Sequence, residues 1–248
     1  MLVVLLPPSE GKASEGAGPA WSVDHGRFGA ALGPSRIRVV NALKRAKGGT
    51  AKAMGAKGDL LRAAKNANLA VVGAPTRPAH ERFTGVVWGH LAAPTLPAAA
   101  WRRADAGVVV LSALTGLTAW SDPVPDFRLK LTATLPPAGN LATFWRPTLS
   151  TVLNDHLAGH TVVDLLPNEH RAAWIPDPER YDLRRPALVF PDGRPAGHGG
   201  KAAKGLLARA LLMTGDVDRT LATFDPAAQG LVGADDLVLA VDQPLTGR

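Results

Sequence analysis

The strongest constraint on the fold is a set of short runs that are apolar at nearly every position. Residues 1–6 form one such run, which stops at two prolines, and residues 108–111 and 162–166 are similarly rich in valine and leucine. Strands of this kind are buried on both faces, as in the middle of a parallel sheet. Helical patterns separate the runs, so the sequence predicts an α/β (or α+β) fold, with a mixed β-sheet flanked by helices.

The remaining elements are predicted from apolar periodicity and from turn residues. Helices are predicted at 35–47, 60–65, 141–157 and 201–212, and short strands at 69–72, 126–131, 188–190 and 237–241, with a turn at 191–193. No internal repeat or linker is visible, so residues 1–248 are expected to form a single compact domain. Residues 34–68 are expected to form a basic helical subdomain within it, inserted near the N-terminus.

The composition excludes several classes of protein and site. The chain has no cysteine, which excludes disulfides, thiolate zinc sites, thiolate iron–sulfur clusters and cysteine nucleophiles. No run approaches the roughly 18 apolar residues of a transmembrane helix, and residues 1–6 are too short for a signal sequence. We therefore expect a soluble, unprocessed cytoplasmic protein without a membrane partner. A monomer is favoured. No metal site is predicted, because only His156 and His160 have helical i, i+4 spacing and the HEXXH motif is absent.

Positive charge is concentrated in one part of the chain. The formal net charge at pH 7 is +7. Residues 34–65 carry nine basic side chains against a single acidic one, Asp59, so the rest of the chain sums to −1. The nine are Arg36, Arg38, Lys44, Arg45, Lys47, Lys52, Lys57, Arg62 and Lys65. A local basic patch attracts polyanions such as nucleic acids, although a solvated helical face would have the same composition.

Polar side chains follow the first predicted strand, at a position where α/β proteins commonly bind ligands. Ser9 offers a hydroxyl, Glu10 an acid or base, and Lys12 a positive charge for an anion. Neither the dinucleotide fingerprint GxGxxG nor the phosphate-binding loop GxxxxGK[ST] is present, and no cofactor is expected. The alternative is an ordinary turn with solvated polar residues.

Two later segments place charges near predicted strands. Asp126, Arg128 and Lys130 are spaced to share one face of a strand, which is either a solvated edge or part of a polar site. Asp164 lies inside an apolar run. If it is buried, it needs a charged or hydrogen-bonded partner, for which the candidates are Arg128, Lys130 or the helix that follows.

The last two motifs lie at predicted helix starts. Asn168 and Glu169 follow the strand of Asp164, where Asn168 is either a polar site residue or simply the N-cap of a helix. Lys201 and Lys204 follow two glycines and share one helix face. Cations in a first helical turn oppose the helix dipole unless an anion is bound there, so this pattern favours phosphate or carboxylate binding.

These motifs, in this order, resemble the YaaA family of peroxide-stress proteins. The matching segments are 8–12 (PSEGK), 83–87 (FTGVV), 111–117 (LSALTGL), 127–130 (FRLK), 164–169 (DLLPNE) and 201–209 (KAAKGLLAR). They span nearly the whole chain, and their order and spacing carry the resemblance rather than any one of them. The resemblance implies a single α/β body.

The resemblance also implies a cytoplasmic role in protection against hydrogen peroxide, in which low levels of unincorporated iron limit DNA damage. It further implies binding of double-stranded DNA by a helix-hairpin-helix-like element, which would correspond to residues 52–65 with the hairpin at 54–58. Phosphate contacts of this kind are largely independent of base sequence. The expected DNA contacts are Lys44, Arg45, Lys47, Lys52, Lys57, Arg62 and Lys65.

The alternative is an enzyme that acts on a small phosphate- or carboxylate-bearing molecule, such as a nucleotide. The candidate pocket consists of Ser9, Glu10, Lys12, Arg128, Lys130, Asp164, Asn168, Glu169, Lys201 and Lys204. Its cations would bind the anion, and Glu10, Asp164 or Glu169 would act as acid or base. Direct iron binding would need a carboxylate-rich site, and no convincing ligand set is visible.

Overall fold

The computed structural model describes residues 1–189, 197–230 and 238–241. Its strands are β1 (Leu2–Leu6), β2 (Gly18–Ala20), β3 (Pro75–Pro78), β4 (Val108–Ser112), β5 (Gly116–Ala119), β6 (Pro123–Pro125), β7 (Thr134–Leu135), β8 (Gly139–Asn140), β9 (Thr161–Asp164), β10 (Asp182–Arg184), β11 (Pro186–Val189) and β12 (Val238–Val241). Its helices are α1 (Gly29–Arg45), α2 (Ala51–Met54), α3 (Gly58–Leu69), α4 (Ala79–Arg82), α5 (Val86–Leu91), α6 (Ala98–Gly107), α7 (Leu141–Leu157), α8 (Asn168–Arg171), α9 (Gly197–Thr214) and α10 (Val217–Thr223), with a 3-10 turn at Ala93–Thr95. These elements confirm a mixed α/β architecture.

β1 is the middle strand of a five-stranded mixed sheet with the order β10-β9-β1-β4-β5. It runs parallel to β4 and β9, and β9 runs parallel to β10, whereas β5 returns antiparallel to β4. Val3, Val4, Leu5 and Leu6 of β1 are all 0% exposed. Burial on both faces explains why this run has no polar position, and it confirms the predicted buried strand.

Two groups of helices pack with this sheet. α1 packs against α3, α7 and β5, and contributes Leu32, Val39 and Leu43 to the core. α6 packs against β1, β4 and α9, while α9 also contacts α5 and α10. Smaller sheets are formed by β2-β3-β6, β7-β8 and β11-β12. Within the described ranges, no helix combines the length and the hydropathy needed to span a membrane.

The long helices agree well with the sequence predictions. α7 has the predicted bounds, and α9 extends beyond the predicted segment at both ends. α1 begins six residues before the predicted helix and ends two residues short of its predicted end. The predicted strands at 188–190 and 237–241 correspond to β11 and β12, although residue 190, residue 237 and the turn at 191–193 lie outside the described residues. The prediction of a strand at 69–72 is wrong, because Leu69 ends α3 and a turn follows it. A short apolar run does not by itself distinguish a strand from a helix end.

Residues 126–131 also do not form a strand, although their side chains alternate as predicted. Phe127, Leu129 and Leu131 are buried, but none of the described strands pairs with the segment. Instead the side chain of Asn68 forms hydrogen bonds with the backbone of Arg128. Asn68 Nδ2 donates to Arg128 O at 2.8 Å, and Arg128 N donates to Asn68 Oδ1 at 2.8 Å. One amide side chain therefore supplies the hydrogen bonds that a neighbouring strand would give.

The basic part of the chain comprises α1, α2 and α3. α2 has four residues, and residues 55–57 connect it to α3. α1 is also part of the main core, since Val39, Val40 and Leu43 are buried. A helix-hairpin-helix assignment for α2 and α3 remains a prediction.

Candidate functional site

The carboxyl ends of β1, β4, β9 and β10 lie at one edge of the main sheet, because these strands are parallel. Residues 7–12 follow β1 and residues 165–168 follow β9. Leu165 donates its backbone N–H to Leu5 O at 3.1 Å, so the two segments leave the sheet side by side. This edge, the usual ligand position in α/β sheets, therefore carries two of the predicted site segments.

Ser9 holds the loop after β1 in place. Its side chain is buried, its hydroxyl donates to Gly11 O, and it accepts the backbone N–H of Thr84 at 3.0 Å. A Cβ added to Gly85 would lie 2.6 Å from Ser9 Cβ, so residues 84–85 pack directly on the loop. Because its only proton is already donated within the loop, Ser9 positions the neighbouring Glu10 and Lys12.

Lys12 lies in an environment that disfavours its positive charge. Its Nζ donates to Ser9 O at 2.8 Å and lies 4.4 Å from the ring centroid of Phe127. No carboxylate in the described part of the chain forms an ion pair with it. Burial, followed by the positive charge of Arg128, lowers the pKa of Lys12 to about 7. A considerable fraction of this side chain is therefore a neutral amine at neutral pH.

Glu10 and Lys130 form an ion pair across the edge of the sheet. Lys130 Nζ lies 2.8 Å from Glu10 Oε1, and the Glu10 side chain is 80% exposed. The hydrogen bond from Lys130 is the main cause that lowers the pKa of Glu10, and the charges of Lys201 and Lys12 act in the same direction. Glu10 is therefore an ionised, accessible carboxylate surrounded by lysines.

Arg128 is paired within its own segment. Its Nη1 bonds to Asp126 Oδ1 and donates to Phe127 O at 2.9 Å. Its side chain is 31% exposed. Arg128 therefore adds positive charge beside Lys12. It does not pair with Asp164, so the prediction of Arg128 as a partner of that aspartate is wrong.

Asp164 is a fully buried carboxylate at the end of β9. Its Oδ1 accepts the backbone N–H of Leu166 at 2.9 Å, and its Oδ2 accepts Arg171 Nε at 2.9 Å and Arg185 Nε at 3.0 Å. Arg171 belongs to α8, the helix that follows, which was one of the predicted sources. Arg185 was missed because it lies on the connection after β10, and only the strand order brings it beside β9.

Lys204 of α9 joins this cluster. Its Nζ donates to the backbone oxygen of Leu165 at 3.0 Å. Burial, and then the charge of Arg171, lowers the pKa of Lys204 to about 8. Three basic side chains thus lie around the buried carboxylate of Asp164, namely Arg171, Arg185 and Lys204. Because their positive charge exceeds the single negative charge of Asp164, the cluster favours an anion. We refer to Asp164, Arg171, Arg185 and Lys204 as the arginine cluster.

The remaining predicted residues lie exposed on neighbouring helices. Asn168 and Glu169 are on α8 and Lys201 is on α9. The N-cap of α8 is Pro167 rather than Asn168, whose Oδ1 accepts Arg171 Nη1 at 3.3 Å. Burial lowers the pKa of the adjacent His170 to about 4, so this imidazole is neutral beside Lys204.

Two surface cavities are lined by other residues. One of about 450 Å³ is formed by the end of α9, α10 and the segment after it, and one of about 250 Å³ by residues 15–18 and 76–81. Neither contains a predicted site residue. Among residues 1–189, 197–230 and 238–241, no three histidine or carboxylate side chains are grouped so as to hold a metal ion.

The predicted DNA contacts lie together on α1, α2, α3 and their connections. All are exposed except Lys65, which is half-buried. Arg62 pairs with Asp59, and the others form no ion pair with any described residue. We call this set the basic surface: Lys44, Arg45, Lys47, Lys52, Lys57, Arg62 and Lys65.

Arg36 does not belong to the basic surface, although it contributed to the charge count. It is 1% exposed and donates to the backbone oxygens of Val23, His25, Thr115 and Leu117 at 2.6–2.9 Å. Burial lowers the pKa of Arg36 to about 10. Its position on the core face of α1 makes it a structural cross-link to β5.

Asn68 also fixes α3 relative to the other basic helices. Its Nδ2 donates to Gly48 O at 2.8 Å, besides its bonds to Arg128. Lys57, the N-cap of α3, makes no side-chain capping bond, and nothing lies within 4 Å of a Cβ added to Gly58. The first N–H groups of α3 therefore have no side-chain cap, and they lie between Lys52 and Arg62 in the chain.

Lys130 connects the basic surface with the sheet edge. A Cβ added to Gly55 would lie 2.7 Å from Lys130 Nζ, so the ammonium sits directly against the turn between α2 and α3. Gly55 also has φ +65, a left-handed conformation that favours glycine. Lys130 N donates to Ala53 O at 3.2 Å in addition. The two predicted anion-binding regions are therefore adjacent.

Comparison with known proteins identifies the family. The family model described as peroxide stress protein YaaA matches residues 1–224. UPF0246 protein SCO2297 of Streptomyces coelicolor is 34% identical over 224 residues, which cover 86% of this chain and 84% of the relative. UPF0246 protein Cgl1995/cg2186 of Corynebacterium glutamicum is 30% identical over 220 residues, covering 86% of each chain. These matches confirm the resemblance deduced from the motifs, and the chain belongs to the peroxide stress protein YaaA family.

Proposed function

We propose that this protein binds double-stranded DNA through the basic surface, with little sequence specificity, in the cytoplasm. The family description supports a role in peroxide stress. We propose further that DNA binding is how the protein helps to limit iron-driven DNA damage. The observation that carries the proposal is a group of seven cations on one helical region with Asp59 as their only ion-pair partner among the described residues.

The chemistry of the basic surface suits phosphates better than base edges. Lysine and arginine neutralise phosphates and release counterions, which gives affinity but carries no sequence information. The uncapped start of α3 adds backbone N–H groups that can donate to a phosphate. The C-terminal turn of α1 carries Lys44 and Arg45, where positive charge also agrees with the helix dipole.

The proposal is tested by reversing three charges, with Lys52→Glu, Lys57→Glu and Arg62→Glu combined. Duplex affinity is measured by fluorescence anisotropy over a series of salt concentrations. Each lost phosphate contact lowers the slope of log K against log salt by roughly 0.9, so the triple variant should lose up to about 3 of that slope.

The control reverses exposed arginines elsewhere, with Arg102→Glu on α6 and Arg219→Glu on α10. This variant should lose only the duplex affinity that its lower net positive charge removes, because its changed residues lie outside the basic surface. Unchanged binding by the triple variant would show that the basic surface is not the DNA site.

A second candidate function is an enzyme that acts on a small phosphate- or carboxylate-bearing molecule at the sheet edge. The arginine cluster favours it, because Arg171, Arg185 and Lys204 exceed the charge of Asp164. Both oxygens of Asp164 are already hydrogen-bonded, so the accessible Glu10 and Glu169 are better candidates for an acid or base.

This candidate is tested by thermal unfolding with inorganic phosphate and with nucleotides. Binding to the native state raises the Tm by mass action, and Arg185→Gln should abolish the shift. Arg180→Gln, which removes an exposed arginine paired with Asp155, is the control. A shift that persists in Arg185→Gln would place the anion elsewhere.

A further inference from the structure

Lys12, at the sheet edge, differs from the nearby Lys130, which forms an ion pair with Glu10. Lys12 is partly exposed, yet its Nζ is held by a backbone oxygen at 2.8 Å and by the rings of Phe127 and Phe83, at 4.4 and 5.7 Å from their centroids. It forms no ion pair with a described carboxylate. Packing against the rings removes the amine from water, and the neighbouring Arg128 adds a like charge. Together they favour the neutral amine, which is the nucleophilic form of lysine.

The charged groups around Lys12 act in both directions. Arg128 and Arg82 disfavour the ammonium, whereas Asp126 and Glu10 favour it. Asp126 is already paired with Arg128, and Glu10 with Lys130. Neither carboxylate is therefore committed to Lys12, and burial dominates.

Lys12 also lies close to the basic surface. Glu10, two residues before it, contacts Lys130, whose ammonium abuts Gly55 in the turn between α2 and α3. On the other side, Phe127 under the Lys12 ammonium precedes Arg128, whose backbone is bound by Asn68 of α3. Two short chains of contacts therefore connect Lys12 with the basic surface.

We propose that Lys12 captures the aldehyde of an abasic sugar in DNA bound at the basic surface, by forming an imine with it. The inference rests on the proposed DNA-binding function. Intact DNA has no aldehyde, whereas loss of a base lets the deoxyribose ring open to one at C1′. A damaged nucleotide is also the least costly to extrude from a duplex, because it has little stacking or pairing to lose.

The reaction balances without a further reactant. The Lys12 nitrogen attacks C1′ and forms a carbinolamine. The C1′–O bond then breaks, and the oxygen leaves as water with the two protons that the amine loses. The product is the imine of Lys12 and C1′, the usual covalent product of lysine with a carbonyl compound. Cyanoborohydride added in the experiment supplies a hydride that reduces the C=N bond to a stable secondary amine.

The test uses the full chain and an end-labelled duplex that contains one abasic site, with cyanoborohydride present. The expected result is a covalent protein–DNA band on a denaturing gel, with the adduct mapped by mass spectrometry to Lys12. The adduct is mapped on the protein with its natural sequence, so the result remains informative even if a substitution at Lys12 impairs folding. An adduct spread over Lys52, Lys57 and other exposed lysines would overturn the proposal.

Variants and alternative ligands sharpen the result. Lys12→Arg should reduce trapping to the level of an intact duplex, whereas Arg102→Lys, a conservative change at an exposed position on α6, should retain it. Free 2-deoxyribose 5-phosphate carries the same aldehyde without a strand, and equal trapping at equal concentration would overturn the assignment to DNA.

If the protein binds the abasic duplex but no adduct forms, the imine is wrong and DNA binding stands. If it binds no duplex, both proposals fail.

Discussion

Lys130 Nζ lies 2.8 Å from Glu10 Oε1, and the same ammonium rests against Gly55. This arrangement joins the loop after β1, which is a feature of the sheet edge, to the turn between α2 and α3, which belongs to the basic surface. Charges at such distances influence each other even at a protein surface. A ligand at one of the two regions will therefore change the electrostatic field at the other.

Replacing Glu10 by glutamine should strengthen duplex binding. The change removes a negative charge beside the basic surface and releases Lys130 from its ion pair. The free energy of unfolding should change by less than about 1 kcal/mol, because an ion pair with so exposed a carboxylate contributes little. Anisotropy titrations and urea unfolding measure the two effects. Glu179→Gln, at an exposed position before β10, is the control, and weaker binding by Glu10→Gln would contradict the account.

Replacing Asn68 by alanine should both destabilise the protein and weaken DNA binding. Asn68 is 1% exposed, and its side chain bonds to Gly48 and to both backbone groups of Arg128. Leaving these groups without partners should cost about 2–4 kcal/mol in urea unfolding. The exposed Asn66→Ala should cost little. Normal stability of the Asn68 variant would show that α3 does not depend on this side chain for its position.

The arginine cluster predicts a large effect for Asp164→Asn. The substitution leaves Arg171, Arg185 and Lys204 without the carboxylate between them. We expect a loss of about 3 kcal/mol, at the lower end of the range for breaking buried ion pairs, because both arginines are partly exposed. Glu169→Gln, a carboxylate on the adjacent exposed helix, should change the unfolding free energy only slightly. Equal effects of the two substitutions would contradict the structural role of Asp164.

Lys12 predicts a specific pH dependence of stability. Its pKa is lowered from 10.5 to about 7 in the folded protein, so the unfolded chain binds more protons between these values. The stability of the natural protein should therefore rise with pH through this window, relative to Lys12→Met. Urea unfolding at several pH values measures the difference. Parallel pH profiles for the two proteins would show that Lys12 titrates as an ordinary lysine.

The parts of the fold that were predictable are those governed by local pattern. The apolar run of β1 and the long periodicity of α7 each specify one structure, since no other arrangement buries the same side chains. Residues 126–131 alternate in the same way but form no strand, because Asn68 replaces the neighbouring strand. The hydrogen bonds from Asn68 join residues that lie 60 positions apart in the chain, and local periodicity does not show such a contact.

The candidate site was predictable in its residue types but not in its pairings. Asp164 was expected to need a basic partner, and Arg171 in the following helix supplies it. Arg185 could be identified only once β10 was known to lie beside β9. Arg36 shows the opposite error, since a basic residue within a charged segment faces the core and bonds to four carbonyls.

The most direct test of the central claim compares two duplexes of unrelated sequence over a range of salt concentrations. If the basic surface binds phosphates, both duplexes should have nearly the same affinity at each salt concentration. The slope of log K against log salt should then approach about −6, as expected for seven cations on seven phosphates. A marked preference for one sequence, or an affinity that hardly changes with salt, would contradict the account.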